Sequence, residues 1–292
     1  MLDLAPPLFV RAPAKINLTL DVLGKRADGY HELASVMQTI DLTDTVALWP
    51  APEGEVTLDC DLPDLGGPDN LALRAALAIR AATGTTRGVH IELHKVIPMQ
   101  GGLGGGSSDA ATTLCALNAW WHLGLSDAQL LALAAELGSD VPFFIVGGTA
   151  HIAGRGELVT KLPDITPLWL VVAKPPVGVS TPAVFRALAP ADYSPGTATA
   201  ALEAHIRAGR LPNLNDATLH NALEDGVLRN YPAVATTRAA LMVAGAPCVR
   251  MSGSGPTLYA PFTTLHAAAQ VHQAAQAAGV QVWLTHTTAP RL

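Results

Sequence analysis

The clearest pattern of hydrophobic and polar positions lies near the N-terminus, where the two types alternate over residues 15–22. Side chains alternate across a β-strand, so the apolar members of this segment would share one face: Ile16, Leu18, Leu20 and Val22. The pattern predicts a strand with one buried face and one face in water. Asp28-Gly29 is typical of a hairpin turn, and residues 35–42 suit the returning strand.

Strand-like and helix-like patterns continue through the N-terminal half. A turn at Thr43-Asp44 would lead into a strand at 45–49, and residues 50–68 have the composition of a loop. The further predicted elements are a helix at 71–82 after Asn70, a strand at 89–93, a helix after the glycine-rich residues 98–108, and a helix at 126–137 that is capped by Ser126 and ends at a left-handed Gly138.

A change of composition over residues 147–156 separates a C-terminal half with its own elements. Thr181-Pro182 is typical of a helix N-cap followed by a first-turn proline. The other predicted elements are strands at 168–173, 249–252, 257–262 and 280–285, and helices at 198–208, 233–243 and 265–278. This order fits two α+β domains, and a boundary near Arg155 would divide them into residues 1–155 and 156–292.

Composition narrows the class of protein. The chain has 292 residues, 49% of them hydrophobic, but no apolar run reaches the roughly eighteen positions that a membrane helix needs. Residues Met1 to Arg11 lack the pattern of a secretory signal, which predicts a cytoplasmic protein. A net charge of −6 offers no general attraction for nucleic acid or an anionic membrane, so neither partner is expected and any anionic ligand must be bound locally.

The strongest candidate for chemistry is the run Gly101-Gly102-Leu103-Gly104-Gly105-Gly106-Ser107-Ser108, at the predicted start of a helix. Successive glycines allow backbone N–H groups to converge on an anion, and a helix N-terminus adds about half a positive charge. The run therefore predicts a phosphate site, with a flexible loop as the alternative. Its spacing is that of neither the Walker A loop nor the dinucleotide fingerprint. A valine at Gly105 would be expected to intrude on the phosphates.

Other candidate residues are ambiguous when taken alone. Lys15 could be a surface lysine, Asp140 could be a helix N-cap, and Gly253-Ser254-Gly255 could be an ordinary hairpin turn. The run from His90 to His94 alternates along a predicted strand, whereas the zinc motif places its histidines on a helix. The chain also lacks the nucleophile elbow of serine hydrolases.

Three segments, in their joint order, resemble the motifs of the GHMP kinase superfamily, which includes galactokinase and the homoserine, mevalonate and phosphomevalonate kinases. They are APAKINL at residues 12–18, PMQGGLGGGSSDAA at 98–111 and MSGSGPT at 251–257. Residues 28–33 and 138–144 look like signatures of the branch that phosphorylates a cytidine diphosphate-linked methylerythritol. The resemblance spans nearly the whole chain. The sequence differs from the superfamily pattern at Gln100, where the superfamily often has glycine.

The resemblance implies a two-domain α+β fold, with an N-terminal domain like ribosomal protein S5 and a ferredoxin-like C-terminal domain. It implies transfer of the γ-phosphoryl group of ATP, with Mg²⁺ expected, to the 2-hydroxyl of the cytidylyl substrate in the non-mevalonate isoprenoid pathway. Asp140 would accept the hydroxyl proton and Lys15 would orient Asp140. The residues expected to contact ATP are Asn70, Lys95, Pro98, Met99, Gln100, Gly101, Gly102, Leu103, Gly104, Gly105, Gly106, Ser107 and Ser108.

The substrate residues implied by the resemblance come from both halves of the chain. Tyr30 and Phe185 would stack on the cytosine and His31 would hydrogen-bond its edge, while Asn17 and Thr181 would contact the diphosphate or the erythritol. Without the resemblance, the two rings suit core packing. No acidic cluster identifies the magnesium ligands, and a monomer or weak homodimer is expected. Two alternatives remain: a sibling kinase of homoserine or mevalonate, and a catalytically inactive nucleotide-binding homologue.

Overall fold

The computed structural model describes residues 6–210 and 218–289, which form two β-sheets with helices packed against them. The strands are β1 (Leu8–Lys25), β2 (His31–Ala51), β3 (Val56–Cys60), β4 (Gly88–His94), β5 (Thr149–Gly154), β6 (Leu158–Lys161), β7 (Trp169–Ala173), β8 (His220–Asn221), β9 (Arg250–Met251), β10 (Leu258–Phe262) and β11 (Val282–His286). The helices are α1 (Leu71–Thr83), α2 (Gly105–Trp120), α3 (Asp127–Leu137), α4 (Val141–Val146), α5 (Thr181–Arg186), α6 (Thr197–Arg207), α7 (Glu224–Asn230), α8 (Pro232–Val243) and α9 (Leu265–Ala277).

The first sheet is built around the long antiparallel pair of β1 and β2. Its order is β3-β4-β2-β1-β8, and β5 pairs with the first part of β2 and carries β6. Side chains of α1, α2 and α4 join those of the sheet in one core, which includes Leu48, Ile79, Leu114 and Phe143. Strand β6 lies beyond Arg155 and still pairs with β5 of this sheet, so strand pairing crosses the expected domain boundary. The boundary near Arg155 stays a prediction.

The second sheet is antiparallel, in the order β11-β7-β10-β9. Its strands and helices follow one another along the chain in the ferredoxin-like manner, with a helical segment after β7 and α9 after β10. A shared core of Leu18, Val172 and Tyr259 joins the two sheets, and the Tyr259 hydroxyl donates to the carbonyl oxygen of Asn17 at 2.8 Å. The expected two-part α+β fold is confirmed.

The polar face of β1 is not in water, and that part of the prediction is wrong. Lys15, Asn17, Thr19 and Asp21 are each at most 2% exposed. The start of α6 covers two of them, because Thr199 donates its backbone N–H to Asp21 and its hydroxyl to Thr19, both at 2.9 Å. Polar residues on a fully buried strand must find partners, which makes this face a candidate for function.

No turn forms at Thr43-Asp44, where a turn was expected. Strand β2 runs through this point, and a bulge between Pro13 and Ala14 shifts its register with β1. The carboxylate of the fully buried Asp44 accepts hydrogen bonds from the N–H groups of Val96 and Ile97, at 2.6 and 2.8 Å. The polar pair that suggested a turn therefore supplies a buried anchor for the segment before the glycine-rich loop.

Three smaller expectations are also wrong. Residues 50–68 contain β3, a short strand at the sheet edge with only a weak apolar pattern. Gly138 follows α3 with a φ of 172°, which is extended backbone and not left-handed. Ser180 takes the N-cap position of α5, one residue before the expected Thr181. The other predicted strands and helices are confirmed, with bounds that differ by a few residues.

Candidate active site

A cavity of about 630 Å³ lies where the two halves of the chain meet. Its walls come from β1 and the turn after it, the glycine-rich loop, the segment before α4, the β5–β6 turn and α5. The sequence-predicted residues that line it are Lys15, Asn17, Tyr30, His31, Gly102, Ser107, Asp140, Thr181 and Phe185. The fold therefore brings together both expected catalytic residues and all five expected substrate residues.

The glycine-rich loop ends in the first turn of α2, a helix of 16 residues. The first amides of a helix have no intrahelical partner. Within residues 6–210 and 218–289, the N–H groups of Gly104 to Ser107 donate no hydrogen bond. Free donors at the positive end of a helix dipole suit an anion, and binding of phosphate at this helix start stays a prediction.

Gly101 and Gly102 hold the loop against the turn that contains Gly253-Ser254-Gly255. A Cβ on Gly101 would lie 2.6 Å from the hydroxyl of Thr257, and one on Gly102 would lie 2.2 Å from the carbonyl oxygen of Ser252. The hydroxyl of Ser252 donates to the Gly102 carbonyl at 2.9 Å. Gly101 and Gly102 therefore allow the glycine-rich loop to pack closely against the Gly253-Ser254-Gly255 turn.

A side chain added at Gly105 would face the protein interior. Gly105 is helical, and a Cβ there would point at Ile97, at 3.2 Å, and at the Asp44 carboxylate, at 3.4 Å. A side chain at Gly105 would therefore press on buried residues beneath the helix. Loss of ATP binding in a Gly105→Val variant stays a prediction.

Gln100 adopts the left-handed conformation, with φ of 49°. Glycine enters this region without steric cost and other residues rarely do, which fits the frequency of glycine at this place in the resembling superfamily. Gln100 and Met99 are exposed and Pro98 is partly buried, whereas Leu103 is buried and its carbonyl accepts the N–H of Lys15 at 2.9 Å.

Lys15 and Asp140 face each other across the cavity wall. The ammonium nitrogen of Lys15 lies 3.7 Å from the Asp140 Oδ2 and donates to Asn17 Oδ1 at 2.7 Å. Asn17 in turn donates to the Ser35 hydroxyl at 2.9 Å. Burial lowers the pKa of Lys15, and the Asp140 carboxylate opposes that effect. Ser35 completes this chain of contacts and was not identified from the sequence.

Asp140 stands at the N-cap position of α4 but does not act as a cap. Its side chain makes no capping hydrogen bond, and it is 32% exposed. A capping aspartate would direct its carboxylate to the N–H groups of the next turn. The alternative that Asp140 is only a helix cap is therefore wrong, and its carboxylate is open to the cavity.

The Gly253-Ser254-Gly255 turn is held by residues whose role the sequence did not reveal. Asn221 donates to the carbonyl oxygens of Met251 and Gly253, both at 2.8 Å. Glu224 is 4% exposed and accepts the N–H of Met251 at 2.8 Å. The run Asn221-Ala222-Leu223-Glu224 therefore anchors the turn that supports the glycine-rich loop.

Aromatic side chains also line the cavity. Tyr30 is 56% exposed, so it is not packed in a core. The His31 ring lies 5.3 Å from that of Phe185 and 5.9 Å from that of Tyr193, which the sequence did not single out. Burial and the charge of Lys25 lower the pKa of His31, so near neutral pH its ring offers one donor and one acceptor.

Asn70 and Lys95 already have partners within the protein. Asn70 caps α1 by accepting the N–H of Ala72 at 2.9 Å. The Lys95 side chain is 4% exposed and forms ion pairs with Asp44 and Asp109. Burial lowers the pKa of Lys95, but the two carboxylates together raise it above its ordinary value. Contact of either residue with ATP stays a prediction.

Two other expected residues also have local surroundings. Ser108 is fully buried and its hydroxyl has no partner among the described residues, whereas Ser107 reaches the cavity. The Thr181 hydroxyl lies 2.7 Å from that of Ser254, so it joins α5 to the glycine-containing turn. Contacts of Ser108 with ATP and of Thr181 with the acceptor substrate stay predictions.

Asp109 should make the stability of the protein depend on pH. Burial and repulsion from Asp44 raise its pKa to about 7, against the attraction of Lys95. The unfolded chain releases this proton near pH ~3.9, so rising pH between these values lowers the free energy of unfolding. We expect Asp109→Asn to lose less stability than the unaltered protein between about pH 4 and pH 8, measured by urea unfolding.

A control variant for that measurement is Asp69→Asn, which changes an exposed aspartate. It should keep the pH dependence of the unaltered protein. An unchanged pH dependence in Asp109→Asn would show that the buried carboxyl does not hold its proton.

Comparison with known proteins places this site in a family. The model of the GHMP kinases N terminal domain matches residues 70–148, and that of the GHMP kinases C terminal domain matches residues 198–281. The 4-diphosphocytidyl-2-C-methyl-D-erythritol kinase of Pelotomaculum thermopropionicum is 48% identical, over 96% of this chain and 98% of that relative. The chain belongs to the 4-diphosphocytidyl-2-C-methyl-D-erythritol kinase family.

Further comparisons agree with membership of the 4-diphosphocytidyl-2-C-methyl-D-erythritol kinase family. The kinase of that name from Symbiobacterium thermophilum is 46% identical, over 85% of this chain and 88% of the relative. A crystal structure of 4-(cytidine 5'-diphospho)-2C-methyl-D-erythritol kinase superposes with a TM-score of 0.83 at 35% identity, covering 96% of this chain and 99% of the other. Homoserine kinase from Cytophaga hutchinsonii shares the fold, with a TM-score of 0.75 at 21% identity, 98% of this chain and 95% of the other being covered.

Two kinds of feature are absent from the described residues. Across residues 6–210 and 218–289, no helix is long and apolar enough to cross a bilayer. The same part of the chain contains no group of three or more His, Cys, Asp and Glu side chains that could hold a metal ion.

Proposed function

We propose that this chain is an ATP-dependent kinase that transfers the γ-phosphoryl group to the 2-hydroxyl of 4-diphosphocytidyl-2-C-methyl-D-erythritol, a step of the non-mevalonate isoprenoid pathway. The observation that carries the proposal is the cavity that joins Lys15 and Asp140 to Tyr30, His31 and Phe185 beside the glycine-rich loop. Its family membership agrees with this reaction. A cytoplasmic location and the oligomeric state stay predictions.

Charge in the cavity suits a substrate that carries a diphosphate. Among the described residues, four cationic side chains line it, Lys15, Lys25, Arg155 and Arg186, against the single carboxylate of Asp140. The whole protein is negative, with a net charge of −6, so this positive region is local. Such a cavity attracts an anion that the rest of the surface would repel.

The phosphate donor would lie at the start of α2. The free N–H groups of Gly104 to Ser107 would bind its phosphate oxygens, and the helix dipole would stabilise their charge. Phosphoryl transfer depends mainly on positioning and on stabilisation of charge, so few reactive side chains are needed. ATP, when bound, supplies the phosphoryl group that is transferred.

Magnesium would be held chiefly by the nucleotide. Mg²⁺ is commonly bound by substrate phosphates with only one or two protein carboxylates, and it keeps several of its water ligands. The absence of a metal-binding cluster in the described part of the chain is compatible with this arrangement. Its protein ligands are not assigned.

Asp140 would accept the proton of the 2-hydroxyl and hold that oxygen in line with the γ-phosphorus. Lys15 would fix the Asp140 carboxylate and offset charge that develops near the transferred group. Asn17 would keep Lys15 in place, because it accepts a hydrogen bond from the ammonium group. Because phosphoryl transfer depends mainly on positioning, orientation of the hydroxyl is the larger contribution of Asp140.

The direct test is a coupled assay of ADP release with four acceptors: the cytidylyl compound, homoserine, mevalonate and galactose. We expect turnover only with the cytidylyl compound. Preference for homoserine or mevalonate would replace the proposed substrate, and ATP binding without turnover of any acceptor would indicate an inactive homologue.

Removal of either stacking ring should weaken binding of the cytidylyl substrate and leave binding of ATP unchanged. Base stacking on an aromatic side chain contributes roughly 1–3 kcal/mol, so Tyr30→Ala or Phe185→Ala should raise the KM for this substrate by about 5- to 150-fold. The KM for ATP should not change, because neither ring is among the residues expected to contact ATP. An equal loss of affinity for ATP, measured in the same assay, would contradict the stacking role.

A further inference from the structure

The turn between β5 and β6, residues 154–157, is a rigid part of the cavity wall. Gly154 and Gly156 have φ of 70° and 117°, values that favour glycine. The carboxylate of Glu157 accepts the N–H of Arg155 at 2.7 Å, and a Cβ on Gly154 would lie 2.9 Å from the same carboxylate. The turn therefore holds Arg155 and Gly156 at defined places beside the cavity.

Arg155 lies over the ring of Tyr30. The central carbon of its guanidinium is 5.0 Å from the ring centroid, a distance at which a cation is attracted to the ring face. Within the described residues no second aromatic ring contacts Tyr30, which is 56% exposed. The guanidinium is also 3.9 Å from the Glu157 carboxylate, which helps to keep it over the ring.

Gly156 lies against the segment that carries Asp140. A Cβ on Gly156 would be 3.4 Å from the Cβ of Ser139 and 3.8 Å from Oδ1 of Asp140. The Asp140 carboxylate makes no capping hydrogen bond, so its neighbours and Lys15 decide where it points. The backbone of the turn is one of those neighbours.

We propose that the β5–β6 turn is a positioning element of this kinase: Arg155 fixes the ring of Tyr30 for stacking on the cytosine, and Gly156, in a backbone conformation that favours glycine, holds the turn against the segment that carries Asp140. The proposal rests on the proposed function, because it takes Tyr30 and Asp140 as substrate-binding and catalytic residues. One four-residue turn would thus align both the cytosine and the reacting hydroxyl of the acceptor.

The first part is tested with Arg155→Met, which keeps an apolar stem and removes the charge. A cation–π contact at an exposed site corresponds to a change of about 2- to 5-fold, so the KM for the cytidylyl compound should rise by that factor, with kcat and the KM for ATP unchanged. The matched control is Arg74→Met, which removes an exposed cation that does not line the cavity and should leave both KM values unchanged. An equal rise in both variants would mean that only the general positive charge matters, and would overturn the proposal.

A double-mutant cycle then asks whether Arg155 acts through Tyr30. In a Tyr30→Leu background, Arg155→Met should have no further effect on the KM for the cytidylyl compound, since the ring that it positions is absent. The same 2- to 5-fold rise in both backgrounds would instead indicate direct contact of Arg155 with the substrate diphosphate, and would overturn the positioning role.

The second part is tested with Gly156→Ala. A misplaced catalytic carboxylate should lower kcat by about 10- to 100-fold and leave the KM for ATP unchanged. The matched control is Gly245→Ala, which places a side chain at a similar φ of 101° on an exposed glycine that does not line the cavity. An unaltered kcat in folded Gly156→Ala would overturn this part, and the arginine experiments decide the first part whether or not Gly156→Ala folds.

Failure of this inference differs from failure of the proposed function. If the unaltered protein does not phosphorylate the cytidylyl compound, the proposed function is wrong and the inference falls with it. If it does, and the variants at Arg155 and Gly156 match their controls, only the inference is wrong.

Discussion

Asp140→Asn should lower kcat by on the order of 10²–10⁴-fold while ATP still binds. Asparagine keeps the size and shape of the side chain but cannot accept the hydroxyl proton. It also removes the charge that faces the buried ammonium of Lys15, 3.7 Å away. The loss should appear in kcat measured at saturating concentrations of both substrates, with the affinity for ATP measured separately by calorimetry.

The matched control for Asp140→Asn is again Asp69→Asn, the same chemical change at an exposed position away from the cavity. Its kcat should equal that of the unaltered protein. Circular dichroism should show both variants folded. A kcat for Asp140→Asn within a few-fold of the control would remove Asp140 from the catalytic step.

Gly102→Ala should both destabilise the protein and impair ATP binding. The added Cβ would lie 2.2 Å from the carbonyl oxygen of Ser252 in a left-handed backbone, so the glycine-rich loop would have to move away from the Gly253 turn. Overpacking costs typically 1–3 kcal/mol and the left-handed conformation roughly 1–2 kcal/mol more. For a chain of this size, Tm should fall by about 3–8 °C.

Gly124→Ala separates the two causes of that loss. Gly124 has nearly the same φ, 70° against 73°, but nothing lies within 4 Å of its added Cβ. It should show only the smaller backbone effect and keep the affinity for ATP. If Gly102→Ala lowers Tm no more than Gly124→Ala and binds ATP normally in calorimetry, close contact between the two motifs is not needed for the phosphate site.

Local patterns in the sequence were enough to predict most of the elements and the glycine-rich start of a helix that is the candidate phosphate site. Alternation over residues 15–22 and the glycine run before α2 depend on neighbouring residues only, and both appear in the structure where they were expected. Resemblance of three separated segments indicated the family. No local pattern could predict β3, since an edge strand of five residues depends on pairing with β4.

Only the tertiary structure decided what the ambiguous polar residues do. Lys15 reads as a surface residue in the sequence, yet packing of the two sheets buries its strand on both faces and places it beside Asp140. Lys95 reads as a free cation for ATP, but Asp44 and Asp109, 51 and 14 positions away, surround it. Whether a charged group is exposed, paired or catalytic depends on distant segments that meet in the fold, whereas secondary structure depends largely on residues a few positions apart.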